Sequence, residues 1–555
     1  MARVFENARD GLNYDIYGGA VPNGMLYRIK QIEGLSKQIL SVVPSSGQGT
    51  VNGGNKIIVS LPMNSLLDLG TFEMNFFGKT AHNGAANGNQ KNYVQTRFFP
   101  RNTQSLISNL DIKCGGRGIQ NIAQYNYIYN ILNDLMCGTD ATNKKQIGEN
   151  ADPSNKCAWI NGVNIPRRGY PIGLWNGNDI NTDDKFDASA RDADNYTIRN
   201  WLGLLSGGAS TNVIHTDMYG DITIEIGLDT AAILMLGAAT TAAGPGTLDT
   251  TLSSTNYQFL GDISTNNGAA VSAETAQYVL SNVSFNITRL DMPAYFYEAM
   301  SNVLASGAVY KLYYPNYQIF SGQSSSSKSG TTRFSFSTKS LDYCIGTFQV
   351  KNRDTISTVL NSAVSGATAG EYGSSSNTAF NLIHNGAQRV FNQSKYFARN
   401  GTGIKSATWY AGSVKLNSET PLQMYNSMLK AFNMKNDLLG GTSPFIRHYG
   451  DFIETCFAHV ISFQANGETD MYTISGLDSS QQPSSLAWEV QGGDTVADGS
   501  TGLAGIKSGQ KVLNDGLVCQ KSDECLPVII AAYSSHLEVT AGRAHVHSAV
   551  FSIFA

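Results

Sequence analysis

Alternating apolar and polar positions recur along the whole chain and predict an all-β protein. In the first half, β-branched or alternating segments bounded by Gly, Asn or Asp occur at residues 56–61, 72–77, 106–112, 221–228 and 281–287. In the second half, such segments occur at residues 310–314, 333–337, 347–350, 528–539 and 544–553. This alternation buries one face of each strand, as two packed antiparallel sheets require.

Apolar residues spaced three to four apart predict only a few helices. One run extends over residues 119–136, a second over 422–432 and a third over 293–304. These are too few for a fold in which strands and helices alternate. We therefore expect two β-sandwiches that join near residues 291–293.

Three sequence echoes in the same order indicate a duplication. GTFEM at residues 70–74 is followed by FFPRN at 98–102 and by Tyr125-Asn126. Their counterparts are GTFQV at residues 346–350, YFARN at 396–400 and Tyr425-Asn426. The offset between the copies grows after the first echo, so the second copy needs an insertion of about 22 residues, which the Gly/Ser-rich stretch 364–377 could supply as a surface loop.

Composition excludes several classes of protein. The chain has 555 residues, of which 15% are charged, 41% are hydrophobic and 56 are glycines. Few charges and many glycines are typical of a turn-rich β protein, while the apolar content is sufficient for large cores and argues against disorder. The net charge of -4 gives no basic face of the kind that direct DNA wrapping needs.

The sequence predicts neither a secretory leader nor a membrane span. The first residues mix both signs of charge, and the longest apolar candidate, residues 231–243, is short and contains two threonines. The seven cysteines are an odd number without CxxC spacing, which is typical of a reducing compartment. A disulfide between Cys519 and Cys525 stays open at this point.

No motif for catalysis is complete. Residues 77–80, Phe-Gly-Lys-Thr, resemble the end of a phosphate-binding loop, but Glu73 stands where that loop needs its first glycine. The chain contains no GxSxG nucleophile elbow and no HExxH zinc motif. We therefore expect no enzyme, and we assign no catalytic, cofactor-binding or metal-binding residue and no cofactor.

One group of side chains could bind a metal ion: His536, Glu538, His545 and His547. A two-residue turn at 541–542 would place His536 opposite His547, and Glu538 opposite His545, all on one sheet face. Imidazole and carboxylate groups on one face could hold a divalent metal. The alternative, which we favour, is a polar outer face with a Glu-His ion pair.

FFPRN at residues 98–102, SLISNL at 105–110 and IQNIAQYN at 119–126 carry a family resemblance. Together with the tandem sandwiches, they resemble the double jelly-roll major capsid proteins of virophages and polinton-like viruses. Further matching stretches, in both halves, are residues 200–205, 314–322 and 341–348. The segment 137–194 and the loop after residue 361 match least, and the resemblance implies that they are variable outward-facing loops.

The resemblance implies two tandem eight-stranded jelly-roll β-sandwiches, a double jelly roll, with a few short helices in loops. We expect an N-terminal arm at residues 1–33, a first jelly roll at 34–291 and a second at 292–555. The implied function is that of a major capsid protein, a homotrimer that forms a pseudo-hexagonal capsomer and tiles the icosahedral shell of a double-stranded DNA virus.

The resemblance also implies partners and a location. The partners are neighbouring capsomers, penton proteins and minor capsid proteins, without sequence-specific binding of nucleic acid. The protein is expected in the virion, after synthesis in the cytoplasm or nucleus of the host cell and without secretion. The sequence leaves open the virus, the host, the lattice size and whether an internal membrane exists.

A second class of function stays open, that of a carbohydrate-binding or carbohydrate-active tandem β-sandwich protein. Its sugar-stacking platforms would come from Trp159, Trp175, Trp201, Trp409 and Trp488. An enzyme of this class would add a pair of carboxylates. Tryptophans spread over a chain are more often core or interface residues, so this class ranks second.

Overall fold

The structure is a computed structural model. It describes residues 36–46, 49–83, 97–98, 100, 102–136, 157–160, 163–166, 194–206, 213–233, 235–236, 238–240, 257–259, 275–307, 310–324, 328–350, 353, 395–397, 399, 401, 403–431, 452–453, 456–463, 476–479, 485–492, 525–540 and 543–547.

Strands dominate both halves. Those of the first half are β1 (Ser36–Val42), β2 (Thr50–Asn52), β3 (Lys56–Ser60), β4 (Leu66–Asn83), β5 (Arg97–Phe98), β6 (Ile107–Cys114), β7 (Arg117–Ala123), β8 (Cys157–Ile160), β9 (Val163–Pro166), β10 (Asp194–Ile198), β11 (Val213–His215), β12 (Ile222–Leu228), β13 (Met235–Leu236), β14 (Ala238–Thr240), β15 (Tyr257–Phe259) and β16 (Thr275–Asp291).

Those of the second half are β17 (Tyr310–Ser321), β18 (Gly330–Ser335), β19 (Leu341–Val350), β20 (Ile404–Ala411), β21 (Val414–Glu419), β22 (His459–Ser462), β23 (Ser485–Gly492), β24 (Cys525–Thr540) and β25 (Arg543–His547). The α-helices within the described ranges are α1 (Tyr125–Met136), α2 (Ala294–Ala305) and α3 (Pro421–Ala431).

Four antiparallel sheets form the body of the chain. In the first half, one sheet has the order β1-β16-β4-β10, with β2 on β16 and β11 on β4, and the other has the order β3-β12-β6-β7. We call this pair the first sandwich. In the second half, the orders are β17-β24-β19-β22, with β25 on β24, and β18-β23-β20-β21. We call this pair the second sandwich.

The two sandwiches have the same topology. When the eight main strands of each are counted in chain order, both have one sheet in the order 1-8-3-6 and one in the order 2-7-4-5. The repeated sequences also fall in equivalent places. The GTF segments lie in the third strands, FFPRN and YFARN precede the fourth strands, and the helices with Tyr125 and Tyr425 follow the fifth strands. The predicted duplication is therefore confirmed.

The predicted helix over residues 119–136 is wrong in its first part. Residues 117–123 form β7, and the helix begins only at Tyr125. Gln124 separates the two elements with a left-handed φ of 51°. Ile119 is a bulged residue that the pairing of β7 with β6 skips, so Ile119 and Ile122 both become buried. Ile119 and Ile122 are three positions apart. Two buried residues with this spacing are compatible with a helix as well as with a bulged strand.

The other sequence predictions match in type, with shifted ends. Each predicted strand overlaps an observed one, and the predicted helices over 293–304 and 422–432 correspond to α2 and α3. Residues 103–106 form a 3-10 turn before β6. Strands β1, β2, β10 and β11 of the first sandwich and β20 to β23 of the second were not predicted from the sequence. The proposed insertion at 364–377 and residues 548–553 of the last predicted strand lie outside the described residues.

Aromatic rings fill the second sandwich where the two sheets face each other. Trp488 of β23 packs against Phe348 of β19, with ring centroids 5.4 Å apart, and against Trp409 of β20, at 5.9 Å. Gly346 of the GTF segment faces this cluster, and a Cβ there would lie 2.5 Å from Trp488 Cε2. The glycine therefore leaves room for the Trp488 ring.

We expect Gly346→Ala to destabilise the chain by about 1–3 kcal/mol, because the added methyl group overpacks a rigid aromatic core. The measurement is the urea midpoint of unfolding followed by Trp fluorescence. Gly49→Ala is the matched control, since no atom lies within 4 Å of its added Cβ. Equal midpoints for both variants would contradict the packing argument.

Candidate functional site, the junction between the sandwiches

The edge strand β7 of the first sandwich lies against β17 of the second. Tyr314 Oη donates a hydrogen bond to the Ile119 carbonyl at 3.1 Å. Gln120 Nε2 donates to the Pro315 carbonyl at 3.1 Å and to Asn316 Oδ1 at 3.2 Å. These hydrogen bonds join the two sandwiches. They also satisfy backbone polar groups that an edge strand would otherwise expose to water. We call this contact, with the ion pair and tyrosines described next, the junction.

A glycine positions the Gln120 carboxamide. Gln120 Oε1 accepts a hydrogen bond from the Leu204 backbone N–H at 2.8 Å, while its Nε2 reaches across the junction. Gly203 has a φ of 78°, and any Cβ at this position would collide with the same carboxamide. A residue with a side chain here would therefore displace Gln120 from β17.

Asp229 receives hydrogen bonds from both sandwiches. Tyr396 Oη of the second sandwich donates to Asp229 Oδ2 at 2.6 Å, and Asn126 Nδ2 of α1 donates to the same oxygen at 2.5 Å. Tyr278 Oη donates to the Asp229 carbonyl. Burial, together with the charge of Asp229, raises the pKa of Tyr396, so the phenol remains a hydrogen-bond donor.

A buried ion pair crosses the junction next to α1. Arg399 Nη2 lies 2.6 Å from Asp134 Oδ2, and the side chains are 0% and 5% exposed. Cys456 Sγ contacts the same carboxylate oxygen at 3.7 Å. Burial opposes the charge on Arg399, but the negative charge of Asp134 outweighs it and the pKa of Arg399 is raised. The guanidinium of Arg399 therefore stays charged inside the protein.

Arg353 adds a cation-π contact between the halves. Its guanidinium carbon lies 4.3 Å from the ring centroid of Tyr396 and 5.4 Å from that of Tyr127 in α1. Tyr127 Oη donates to the Phe348 carbonyl of β19 at 3.1 Å, and burial raises the pKa of Tyr127 to about 12. The helix that follows β7 is thus tied to the GTF strand of the other sandwich.

The junction holds the two sandwiches together through buried polar contacts. Hydrogen bonds from Tyr314, Gln120, Tyr396 and Arg399 cross it, and Tyr396, Arg399 and Cys456 are each less than 5% exposed. The sequence did not predict it, because Asp134 and Arg399 are 265 positions apart. The only signal was the YFARN echo, which contains both Tyr396 and Arg399. The junction can fix one sandwich relative to the other.

A buried histidine lies beneath the outer edge of the second sandwich. Trp488 Nε1 donates to His459 Nδ1 at 3.0 Å, and His459 Nε2 lies 3.5 Å from Glu419 Oε2, at the end of β21. Ser427 of α3 donates to the same Glu419 oxygen at 2.8 Å. Burial lowers the pKa of His459, although Glu419 opposes the shift.

The predicted hairpin register near the C-terminus is confirmed. His536 pairs with His547 and Glu538 with His545. His536 Nε2 lies 3.1 Å from Glu538 Oε1, so these two side chains form a Glu-His pair within one strand. The side chains of His545 and His547 lie outside what the structure describes. Among the side chains it does describe, no group of three His, Cys, Asp or Glu could hold a metal ion.

Several other candidate groups can be placed. Gly78 lies within β4 and not in a loop, which agrees with the rejection of a phosphate-binding loop. Trp201, Trp409 and Trp488 are at most 2% exposed, so they cannot stack on sugars. Cys525 is buried at the start of β24, whereas Cys519, Trp175 and the Trp159 side chain lie outside the described residues. None of the helices within the described ranges has the length and apolarity of a membrane span.

No protein-family model and no curated protein matches the chain. Among solved structures, the PBCV-1 virus capsid is 10% identical and matches 95% of this chain and 100% of its own, with a TM-score of 0.50. The Faustovirus major capsid protein is 10% identical over 95% of this chain and 94% of its own, at a TM-score of 0.45. The Sputnik virophage structure is 9% identical over 97% and 95%, also at 0.45.

The likeness to the PBCV-1 capsid shows the fold of the chain. Together with the shared strand orders of the two sandwiches, it identifies a double jelly roll of the kind found in viral major capsid proteins. The fold expected from the sequence resemblance is therefore confirmed. At this identity the likeness concerns the fold alone.

Removal of one member of the buried ion pair should be costly. We expect Arg399→Met or Asp134→Leu alone to lower the free energy of unfolding by about 3–5 kcal/mol, because each leaves an unpaired buried charge. The double variant should recover most of the loss. The measurement is a double-mutant cycle by urea unfolding. Additive losses in the double variant would contradict direct pairing across the junction.

The neutral state of His459 predicts a dependence of stability on pH. The unfolded histidine, with its ordinary pKa near 6.5, binds protons at pH values where the buried one does not. The free energy of unfolding should therefore fall as the pH drops below about 6.5. We expect wild type to lose about 1 kcal/mol more than His459→Gln between about pH 7.5 and about pH 5.5. The measurement is urea unfolding at both pH values, and equal losses would overturn this assignment.

Proposed function

We propose that the chain is a major capsid protein. Three copies form a pseudo-hexagonal capsomer, and these capsomers tile the icosahedral shell of a double-stranded DNA virus. The observation that carries the proposal is the pair of sandwiches with one topology held side by side by the junction. Three such chains present six similar lobes, so a trimer can occupy a position of sixfold symmetry.

The buried polar character of the junction supports this role. A lattice subunit must keep its two lobes in one fixed relation, because each lobe meets different neighbours. A flexible linker would not do so, whereas a buried Arg399–Asp134 pair and the Tyr314 hydrogen bond to β7 allow one arrangement. Specificity of arrangement is one use that buried polar groups have in proteins.

The remaining roles belong to the same proposal. The division into an arm at 1–33 and jelly rolls at 34–291 and 292–555 assigns the arm to contacts with neighbours. The partners are adjacent capsomers, penton proteins and minor capsid proteins. The net charge of -4 favours contacts with proteins over direct binding of the genome. The chain acts as a structural component of the virion, not as an enzyme, and is made inside the host cell without secretion.

The test is the mass of the purified protein in solution, measured by light scattering and followed by negative-stain microscopy. The proposal predicts a stable particle of three times the 59.7 kDa chain mass with a hexagonal, six-lobed outline. Obligate interfaces of the required kind bury more than about 2,000 Å², so the trimer should survive dilution to about micromolar concentration. A well-behaved monomer at that concentration would contradict the proposal.

A further inference from the structure

The outer edge of the second sandwich carries exposed apolar side chains. Val414 and Leu416 of β21 are 60% and 40% exposed, and Leu422 of the adjoining helix α3 is 54% exposed. We call these three residues the edge patch. An edge strand with apolar side chains facing water favours association with another chain, so such a surface calls for a specific occupant.

The edge patch has an equivalent in the first sandwich. The β6–β7 hairpin turns through Gly115-Gly116, and the β20–β21 hairpin turns through Gly412-Ser413, with left-handed glycines in both. In each returning strand the third residue is a bulge that the pairing skips, namely Ile119 in β7 and Leu416 in β21. These two bulged residues therefore occupy the same place in the two sandwiches.

Their surroundings differ completely. Ile119 is 3% exposed, and its carbonyl accepts the hydrogen bond from Tyr314 of the second sandwich. Leu416 is 40% exposed in the isolated chain. The same bulged edge is thus covered once within the chain and left open once. The covered copy indicates what kind of element fits the open one.

The covering element in the junction is β17, the first strand of its sandwich, and its equivalent is β1. Asn316 of β17 lies opposite Tyr533, which lies opposite Leu341 at the start of the third strand. In the first sandwich, Lys37 of β1 lies opposite Leu290, which lies opposite Leu66. Ser65-Leu66 precedes the GTF segment of β4 as Ser340-Leu341 precedes that of β19. When these two pairs are taken as equivalent, Lys37 corresponds to Asn316.

β1 is also uncovered. Its first four residues are all exposed, and Ile39 is 73% exposed. Strand pairing fixes β1 on the first sandwich and β21 on the second, and among the described residues each is paired on one side only. The partner that can bring a β1 strand to the edge patch is therefore a second copy of the chain.

We propose that β1 of one copy covers the edge patch of the next, and so repeats between chains the contact that β17 makes with β7 within the chain. This interface joins unlike surfaces, so it closes only as a ring. This inference rests on the proposed trimer. In that ring, three contacts between β1 and the edge patch alternate with the three junctions inside the chains. Asn417, which follows the bulge as Gln120 does, then faces Lys37, the counterpart of Asn316.

The first test is a charge placed in the edge patch. Leu416→Glu should weaken the trimer at least tenfold while the monomer keeps its circular dichroism spectrum and unfolding midpoint, because the side chain is exposed in the monomer. Met63→Glu is the matched control, since Met63 is 59% exposed and lies outside β1 and β21. An unchanged trimer in Leu416→Glu, or equal weakening in both variants, would overturn the assignment of this surface.

Crosslinking separates this inference from the proposed function. With a short bis-maleimide, the variant Lys37→Cys, Asn417→Cys should give covalent dimers and trimers, and a mixture of the two single variants should give dimers. Each single variant alone should give none once Cys137, Cys157 and Cys519 are replaced by Ser in every variant, since the other native thiols, Cys114, Cys344, Cys456 and Cys525, are buried. A trimer that does not crosslink would overturn the interface and leave the capsid proposal standing. A crosslink confined to monomers would assign the contact to one chain, and a protein that is monomeric throughout would contradict both proposals.

Discussion

An edge strand with an apolar bulge must be covered, and this constraint organises the molecule. In β7 the bulged residue is Ile119, and Tyr314 of β17 donates a hydrogen bond to its backbone carbonyl across the junction. Around that contact the chain has placed an ion pair, a cation-π contact and hydrogen bonds from Tyr314, Tyr396 and Gln120. Because few of these groups could keep a partner in another arrangement, the two sandwiches have one relation to each other.

Duplication makes the constraint appear twice. Two sandwiches with the same strand order carry two bulged edges, and a chain can cover only one of them with its own second half. The other remains with an exposed Leu416, while the strand that corresponds to the cover, β1, remains open at the opposite sandwich. A subunit of this construction is incomplete alone. In the proposed ring, that open edge connects the fold to assembly.

The sequence predicted what is local or repeated. Strand alternation, the helix at 422–432 and the GTF echoes depend on neighbours a few positions away, and the register of His536 with His547 followed from one turn. The helix over 119–123 was wrong because one bulge gives Ile119 and Ile122 a spacing that a helix also has. The junction was beyond reach, since Asp134 and Arg399 meet from 265 positions apart and nothing near either residue indicates the partner. The edge patch could not be identified from the sequence either. Leu416 stands out only when its exposure is compared with the burial of the equivalent residue, Ile119.

The proposed ring uses one contact twice, and a cryo-electron microscopy map of the assembled particle tests it most directly. The Ile119–Tyr314 contact within each chain serves as the internal reference in that map. We expect a ring in which first and second sandwiches alternate, with β1 of each chain over Leu416 of the next and Leu416 as buried as Ile119. A ring that leaves β21 facing solvent, or one that joins like sandwiches to like, would contradict it.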